Sequence, residues 1–182
     1  PIYLLDRKMT LGPIYFDARY IRVGHHDGIS RFSTGLCMAL SRKTKVIAII
    51  CDERQLQKLP KNIEWIKLNY PTNPIAEFSI AKKLNRVGAE LVFSPMQTMG
   101  SAFRRYKLIL TLHDLIYYSH PTPPPSFSLP IRLGWRIFHL TYLPQRIMLN
   151  GADAVATVSE TTKRLMQSKR LTKRPIKVIY NA

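Results

Sequence analysis

"NPIAEFSIAKKLNRVGAELVF", residues 73–93, puts a helix and a strand in immediate succession, and that order decides the fold. Asn73 is suited to cap the helix, Pro74 takes the first helical position, the pattern runs to Val87, and Gly88 ends it. The apolar run Leu91–Phe93 follows at once and reads as a buried strand. Short apolar runs recur on both sides of this stretch: Ile14–Phe16, Val46–Cys51, Ile63–Ile66, Leu108–Leu112, Ala154–Val158 and Ile176–Tyr180. A second helical pattern, Phe32–Leu40, lies between the first two. Alternating strands and helices imply an α/β fold: a Rossmann-like, doubly wound, mostly parallel sheet covered on both faces. Ligands of such sheets bind outside the carboxyl ends of the strands, so the informative segments are those that follow each strand.

The 182 residues suit one domain spanning 1–182, with 1–12 either an extension or, through Ile2–Leu5, an extra edge strand. Hydrophobic residues make up 46% and charged residues 21%, an ordinary globular composition that excludes disordered and fibrous classes. The charge is anomalous: 28 Lys and Arg against 11 Asp and Glu give a net +17, which favours a polyanionic partner. This excess is regional, because no acidic residue lies between Asp114 and Asp153 and none follows Glu160. Cys37 and Cys51 fall in separate apolar elements, as in a reducing compartment. No run reaches the roughly 18 apolar residues of a spanning helix, and no signal-peptide pattern opens the chain, so a cytosolic or peripheral protein is expected. The prolines of "HPTPPPSFSLP", residues 120–130, favour an extended surface loop.

Four segments after strands carry the candidate chemistry. "VGHHDGISRFSTGL", residues 23–36, leads from strand "PIYFDAR" into a helix, and a glycine-containing loop at a helix start offers backbone N–H groups to a phosphate. It lacks the dinucleotide fingerprint and the P-loop lysine. A metal site at His25, His26 and Asp27 is disfavoured, since adjacent histidines in an extended loop point apart. A solvated loop capped by Asp27 or Ser30 is the plain alternative. In "LILTLHDLIYYSHP" a strand runs into His113 and Asp114, a placement that suits ligand contact, although the pair is as readily structural. "ADAVATVSETTKRL" opens a helix with Ser159 as N-cap and Glu160 in the first turn. "PIKVIYNA" is a strand that stops where a turn or domain crossover is due.

Together these segments resemble family 4 glycosyltransferases, retaining enzymes of the GT-B fold that use nucleotide sugars. "YFDARYI…DGISRF" resembles the family's opening strand and G-G-I-G-R-[YF] loop, and "LTLHDLIYYSHP" its [VT]-x-H-D-L strand end. "ADAVATVSETTKRL" resembles A-D-x-[VI]-x-[TA]-V-S-E-x-[ST], and "VIYNA" the V-I-x-N-G crossover. The match covers residues 14–182, in the right order and each time after an expected strand. The resemblance implies the N-terminal, acceptor-side half of a two-domain enzyme whose donor-binding C-terminal domain, with its Arg, Lys and E-x7-E motif, is absent from this chain. The chain by itself is then expected to be inactive.

It further implies that Gly28, Ile29, Ser30 and Arg31 form the loop facing the donor diphosphate. His113 would sit beside the transferred sugar, to position it or polarise a hydroxyl rather than to act as nucleophile, and Asp114 would fix its ring. Glu160 would hold a loop. No metal or other cofactor is implied, since backbone amides with Arg or Lys can stabilise the leaving diphosphate. Asp27 departs from the family's glycine, and a carboxylate beside a diphosphate is electrostatically adverse. It is expected either to turn away, paired with Arg31, or to leave the loop serving an acceptor hydroxyl.

"IRLGWRIFHLTYLPQRIML", residues 131–149, mixes cations with aromatic and aliphatic residues. Arg132, Trp135, Arg136 and Phe138 are candidates for contact with an acceptor or an anionic membrane, where cations meet lipid phosphates and aromatic rings enter the acyl boundary. A core helix with a solvated basic edge is the alternative. The family's habits suggest hexose transfer with retention, mannose foremost, from GDP-mannose or a UDP-sugar to a lipid-linked or polysaccharide acceptor. The setting would be the cytoplasmic side of the cell membrane. A basic nucleic-acid- or anion-binding module is the competing function, but no RNP-like strand, zinc spacing or helix-turn-helix pattern supports nucleic acid. A nicotinamide-dependent oxidoreductase lacks its glycine fingerprint, although Asp52 stands near the end of the second strand.

Overall fold

The computed structural model describes residues 12–71, 74–120, 122–123, 125 and 128–180. Its strands are β1 (Ile14–Asp17), β2 (Val46–Ile50), β3 (Glu64–Lys67), β4 (Leu91–Ser94), β5 (Lys107–Leu112), β6 (Ala154–Thr157) and β7 (Ile176–Val178). They form one sheet in the order 3-2-1-4-5-6-7, and every pair is parallel. All seven expected strands are present, with ends moved by one or two residues. β1 lies between β2 and β4, with Phe16 opposite both Ala48 and Phe93. The chain winds outward from β1 to β3 and returns through α2 (Pro74–Arg86) to β4, which creates a switch point between β1 and β4.

Alternate strand residues feed different cores. Tyr15, Ile47, Ile49, Val92, Leu108 and Leu110 pack with Ile80, Ala81 and Leu84 of α2. Phe16, Ala48, Ile50 and Phe93 pack on the other face with Leu36, Cys37 and Leu40 of α1 (Gly28–Ser41). A third cluster joins Leu112 and Val155 to Leu149 of α5 (Leu143–Asn150) and Met166 of α6 (Glu160–Ser168). Burial on both faces is why β2 reads VIAII with no polar alternation.

The helix start at residue 28 precedes the Phe32 expected from apolar spacing, because Asp27 caps it: Asp27 Oδ1 accepts a hydrogen bond from the Ser30 amide at 2.8 Å. Gly88, at φ 71°, occupies the left-handed position that ends α2. Two further helices, α3 (Ile116–Ser119) and α4 (Leu129–His139), follow β5. The expected Asn73 cap and the strand or extension at Ile2–Leu5 lie outside the described residues, as do residues 121, 124, 126 and 127 of the proline-rich segment, whose last residues, Leu129 and Pro130, open α4 instead of continuing an extended loop. Among the described residues, no helix is long and apolar enough to cross a membrane.

Candidate functional site

The crevice outside the carboxyl ends of the strands is floored by a buried ionic cluster. Asp17 closes β1, and Arg19, two residues on, turns back to it with Nε 2.8 Å from Asp17 Oδ1 and Nη2 3.0 Å from Oδ2. Arg19 Nη1 also donates to Glu77 Oε1 of α2 at 2.6 Å and to the Asn69 carbonyl after β3 at 3.1 Å. Ser94, at the end of β4, donates to Asp17 Oδ2 at 3.1 Å, and the Gly100 amide donates to Glu77 Oε2 at 3.3 Å. Burial works against the Arg19 charge, but the two carboxylates outweigh it and raise the guanidinium above its ordinary value. The cluster thus ties the ends of β1, β3 and β4 to α2, and the crevice inherits that rigidity.

Above this floor, the loop into α1 settles the fate of Asp27. Its Oδ1 is spent on the Ser30 amide, and its Oδ2 lies 2.8 Å from Arg22 Nε, so the neutralising partner is Arg22 and not the expected Arg31. Ser30 is buried: its Oγ accepts from the Arg22 amide at 3.1 Å and lies 2.7 Å from His26 Nδ1, so this side chain braces the loop. Gly28 and Arg31 line a groove of about 420 Å³ that runs along α1 to Ile179 and Tyr180. Ile29, between them, lines a separate cavity with His113. One helix start therefore serves two adjoining recesses.

His113 follows β5 directly and is half-buried. Its Nε2 lies 2.8 Å from the Pro95 carbonyl, and its ring meets Phe32 edge-on at 5.1 Å. The ring is thus held by Pro95. Asp114, expected to hold it, is exposed and accepts instead from the Ile116 amide at 3.1 Å, in the turn that leads into α3. Thr162 Oγ1 of α6 donates to the His113 carbonyl at 3.3 Å, which ties α6 to the strand end. Ser159 caps that helix through the Thr162 amide at 3.0 Å, and Glu160 lies 3.6 Å from Lys163, away from the cavity.

Burial lowers the His113 pKa below its ordinary 6.5, against the opposing pull of the Pro95 carbonyl and Asp114. The unfolded chain consequently takes up a proton near pH 6.5 that the folded ring resists. The stability contributed by neutral His113 is full above that pH and is lost as pH falls through the folded value. Urea titrations at pH 7.5 and 5.5 should show a smaller loss of stability on acidification for His113→Gln than for the parent chain.

The helix that was expected to meet a membrane presents a different face from the one expected. Trp135 and Phe138 are half-buried, turned into an aromatic cluster around His139 at ring separations of 4.0 and 4.9 Å, with Tyr117 5.2 Å from Trp135. The outward stripe is aliphatic: Leu129, Leu133, Ile137 and Leu140, continued on α5 by Leu143 and Ile147, all more than half exposed. Arg136 is exposed beside this stripe, and Arg132 is half-buried. Arg146 Nη2 and Nε cap the Lys169 and Arg170 carbonyls at 2.8 and 3.2 Å.

Several residues at this end of the sheet are only weakly marked in the sequence. Charged Asp17 and Arg19 at the end of an apolar strand, and polar Gln145 four residues before core Leu149, were the available signals. Gln145 is 2% exposed and lines the His113 cavity with Tyr118 and His139.

The model of the family described as Glycosyltransferase Family 4 matches residues 26–182. No curated protein matches the chain. Sixteen solved chains match. One of them is the sucrose-phosphate synthase of Thermosynechococcus elongatus, 14% identical with a TM-score of 0.57 over 92% of this chain and 47% of that one. At that identity the likeness is one of fold, and this chain spans about half the length of that structure.

Proposed function

The chain belongs to glycosyltransferase family 4, and from that premise we propose that it is the acceptor-side domain of a two-domain, GT-B-fold enzyme. The enzyme transfers a hexose, mannose foremost, with retention from GDP-mannose or a UDP-sugar to a lipid-linked or polysaccharide acceptor. The observation that carries this is the meeting of the α1 start and His113 at adjoining recesses outside the strand ends.

Charge develops on the diphosphate as it leaves, and preorganised donors aimed at it lower the barrier. The first turn of α1 supplies the Gly28 and Ile29 amides and the helix's positive end, and Arg31 adds a full cation in the groove that Gly28 lines. Asp27, neutralised by Arg22, does not oppose this. His113, its ring fixed by Pro95, orients the transferred sugar or polarises a hydroxyl. A second, donor-binding domain supplies the nucleotide contacts, and the chemistry needs no cofactor beyond the donor. The exposed aliphatic stripe with its cations favours peripheral binding to the cytoplasmic face of an anionic membrane, where a lipid-linked acceptor resides.

Arg31→Ala in the two-domain enzyme should raise the donor KM about tenfold, the loss of one charge-assisted contact, while nuclear magnetic resonance of the product shows the donor's anomeric configuration. An unchanged donor KM would remove Arg31 from the diphosphate site, and an inverted product would overturn retention.

A further inference from the structure

The end of the sheet opposite the crevice, at the amino ends of the strands, holds an aromatic ring out in water. Phe103, in the loop before β5, is 94% exposed, and its backbone adopts φ 60°, a left-handed conformation unusual for a bulky residue. The turn is braced on both sides by Asn85 of α2. Asn85 Nδ2 donates to the Phe103 carbonyl at 2.9 Å, and Asn85 Oδ1 accepts from the Arg105 amide at 2.9 Å. A strained backbone persists only where its surroundings fix it, and the conformation fixed here displays the ring. Packing within the domain does not account for it, because the ring is almost wholly uncovered.

The surroundings of the ring narrow its partner. Ser101 abuts Gly151, just past α5, closely enough to leave no room for a side chain there, and Arg104 Nε and Nη2 donate to the Gly151 carbonyl at 3.1 and 2.9 Å. Gly151 continues the i, i+4 row of Leu143 and Ile147, so the Phe103 turn adjoins the end of the exposed aliphatic stripe. Leu108 and Leu110 of β5 pack with α2 and Leu112 with α5, which puts both helices on one face of the sheet. In the strand order β5-β6-β7, the end of α5 lies between the Phe103 turn and the loop before β7. That loop is tied to α5 as well: the Lys173 amide donates to Asn150 Oδ1 at 2.9 Å, beside the carbonyls that Arg146 caps.

Arg105, Lys169, Arg170 and Lys173 are all exposed around this helix end. Asp153 is engaged by Arg104 and Lys107, and no acidic residue follows Glu160. A second copy of so basic a surface would be repelled, whereas lipid phosphates over an apolar layer suit the cations and the ring together.

We propose that Phe103 is a second anchor for an anionic bilayer, inserted beside the aliphatic stripe while Lys169, Arg170 and Lys173 meet lipid phosphates on the other side of α5. The inference rests on the peripheral membrane binding proposed above and adds an orientation to it. A single helical stripe lets the domain roll about that helix; a second anchor at the amino ends of the strands prevents this and holds the crevice at one angle to the lipid.

Co-sedimentation of the 182-residue chain with phosphatidylglycerol-containing vesicles, and with neutral phosphatidylcholine vesicles as control, tests this. Glycine suits the left-handed backbone, so Phe103→Gly should melt no lower than the parent yet bind anionic vesicles about tenfold more weakly. Should Phe103→Gly fold poorly, Phe103→Asn, which also tolerates this backbone, should show the same loss. Lys169→Gln with Lys173→Gln should weaken binding roughly thirtyfold at low salt and less at high salt. Lys43→Gln with Lys45→Gln removes the same charge after α1, on the opposite face, and should bind as the parent does. In Phe103→Trp, brominated lipids should quench a larger share of the fluorescence than they do in the parent, which carries Trp65 and Trp135.

Parent binding that Phe103→Gly and Phe103→Asn leave unchanged, or Phe103→Trp emission quenched no more than the parent's, would overturn the anchor and leave the aliphatic stripe as the membrane contact. A parent that binds no vesicle overturns the membrane reading on which the anchor rests. Capture of a single-stranded oligonucleotide that Phe103→Gly loses, without vesicle binding, overturns both and assigns the ring to base stacking.

Discussion

Arg19→Met is expected to destabilise the domain by about 3–5 kcal/mol, the cost of removing one partner from a buried ionic cluster. Two carboxylates, Asp17 and Glu77, would be left with only the Ser94 hydroxyl and the backbone amides of residues 19 and 100 as donors. Against a typical total of 5–15 kcal/mol, that loss leaves a marginal fold. Urea unfolding followed by circular dichroism measures it. Because the penalty is that of uncompensated charge, the triple variant Asp17→Asn, Arg19→Met, Glu77→Gln should recover most of the stability. A single variant within about 0.5 kcal/mol of the parent, the range of ordinary surface changes, would show that the cluster does not hold the crevice floor.

The second large effect concerns the outer face of α4. Leu133→Glu with Ile137→Glu should reduce binding to anionic vesicles by about a hundredfold or more. Withdrawing two aliphatic side chains from the acyl boundary forfeits up to about 1.5–3 kcal/mol each, and each new carboxylate is repelled by anionic lipid. Co-sedimentation at low and high salt, with neutral vesicles as the control, reads this directly. Trp135→Ala with Phe138→Ala, the variant the sequence suggests, should act differently: it dismantles the aromatic packing around His139 and lowers the melting temperature. If the parent chain binds neither kind of vesicle, the acceptor is a soluble sugar or protein.

That reversal of faces shows where sequence stops being informative. In "IRLGWRIFHL" apolar residues surround the helix, so spacing alone does not say which side packs; Tyr117, arriving from α3, decides it. The strands were legible because each is a short apolar run between turn signals, and their parallel order followed from the helices between them. His113 was legible for a local reason, as a polar residue at the end of an apolar strand. Its restraint by Pro95, 18 residues away, and the pairing of Arg19 with Glu77, 58 residues away, are non-local, and no spacing encodes them. Asp27 and Arg22 fall between these cases: the cap was legible, whereas the choice of arginine depended on how the loop turns.

Sugar transfer from a panel of nucleotide sugars to lipid and saccharide acceptors, by the two-domain enzyme and its His113→Ala variant, tests the central claim most directly. Transfer from one preferred donor is expected, reduced by roughly a hundredfold or more in His113→Ala, in the range lost with a positioned catalytic or polarising group, with the variant still folded. A folded enzyme that transfers from no donor, or a His113→Ala variant as fast as its parent, would contradict the account.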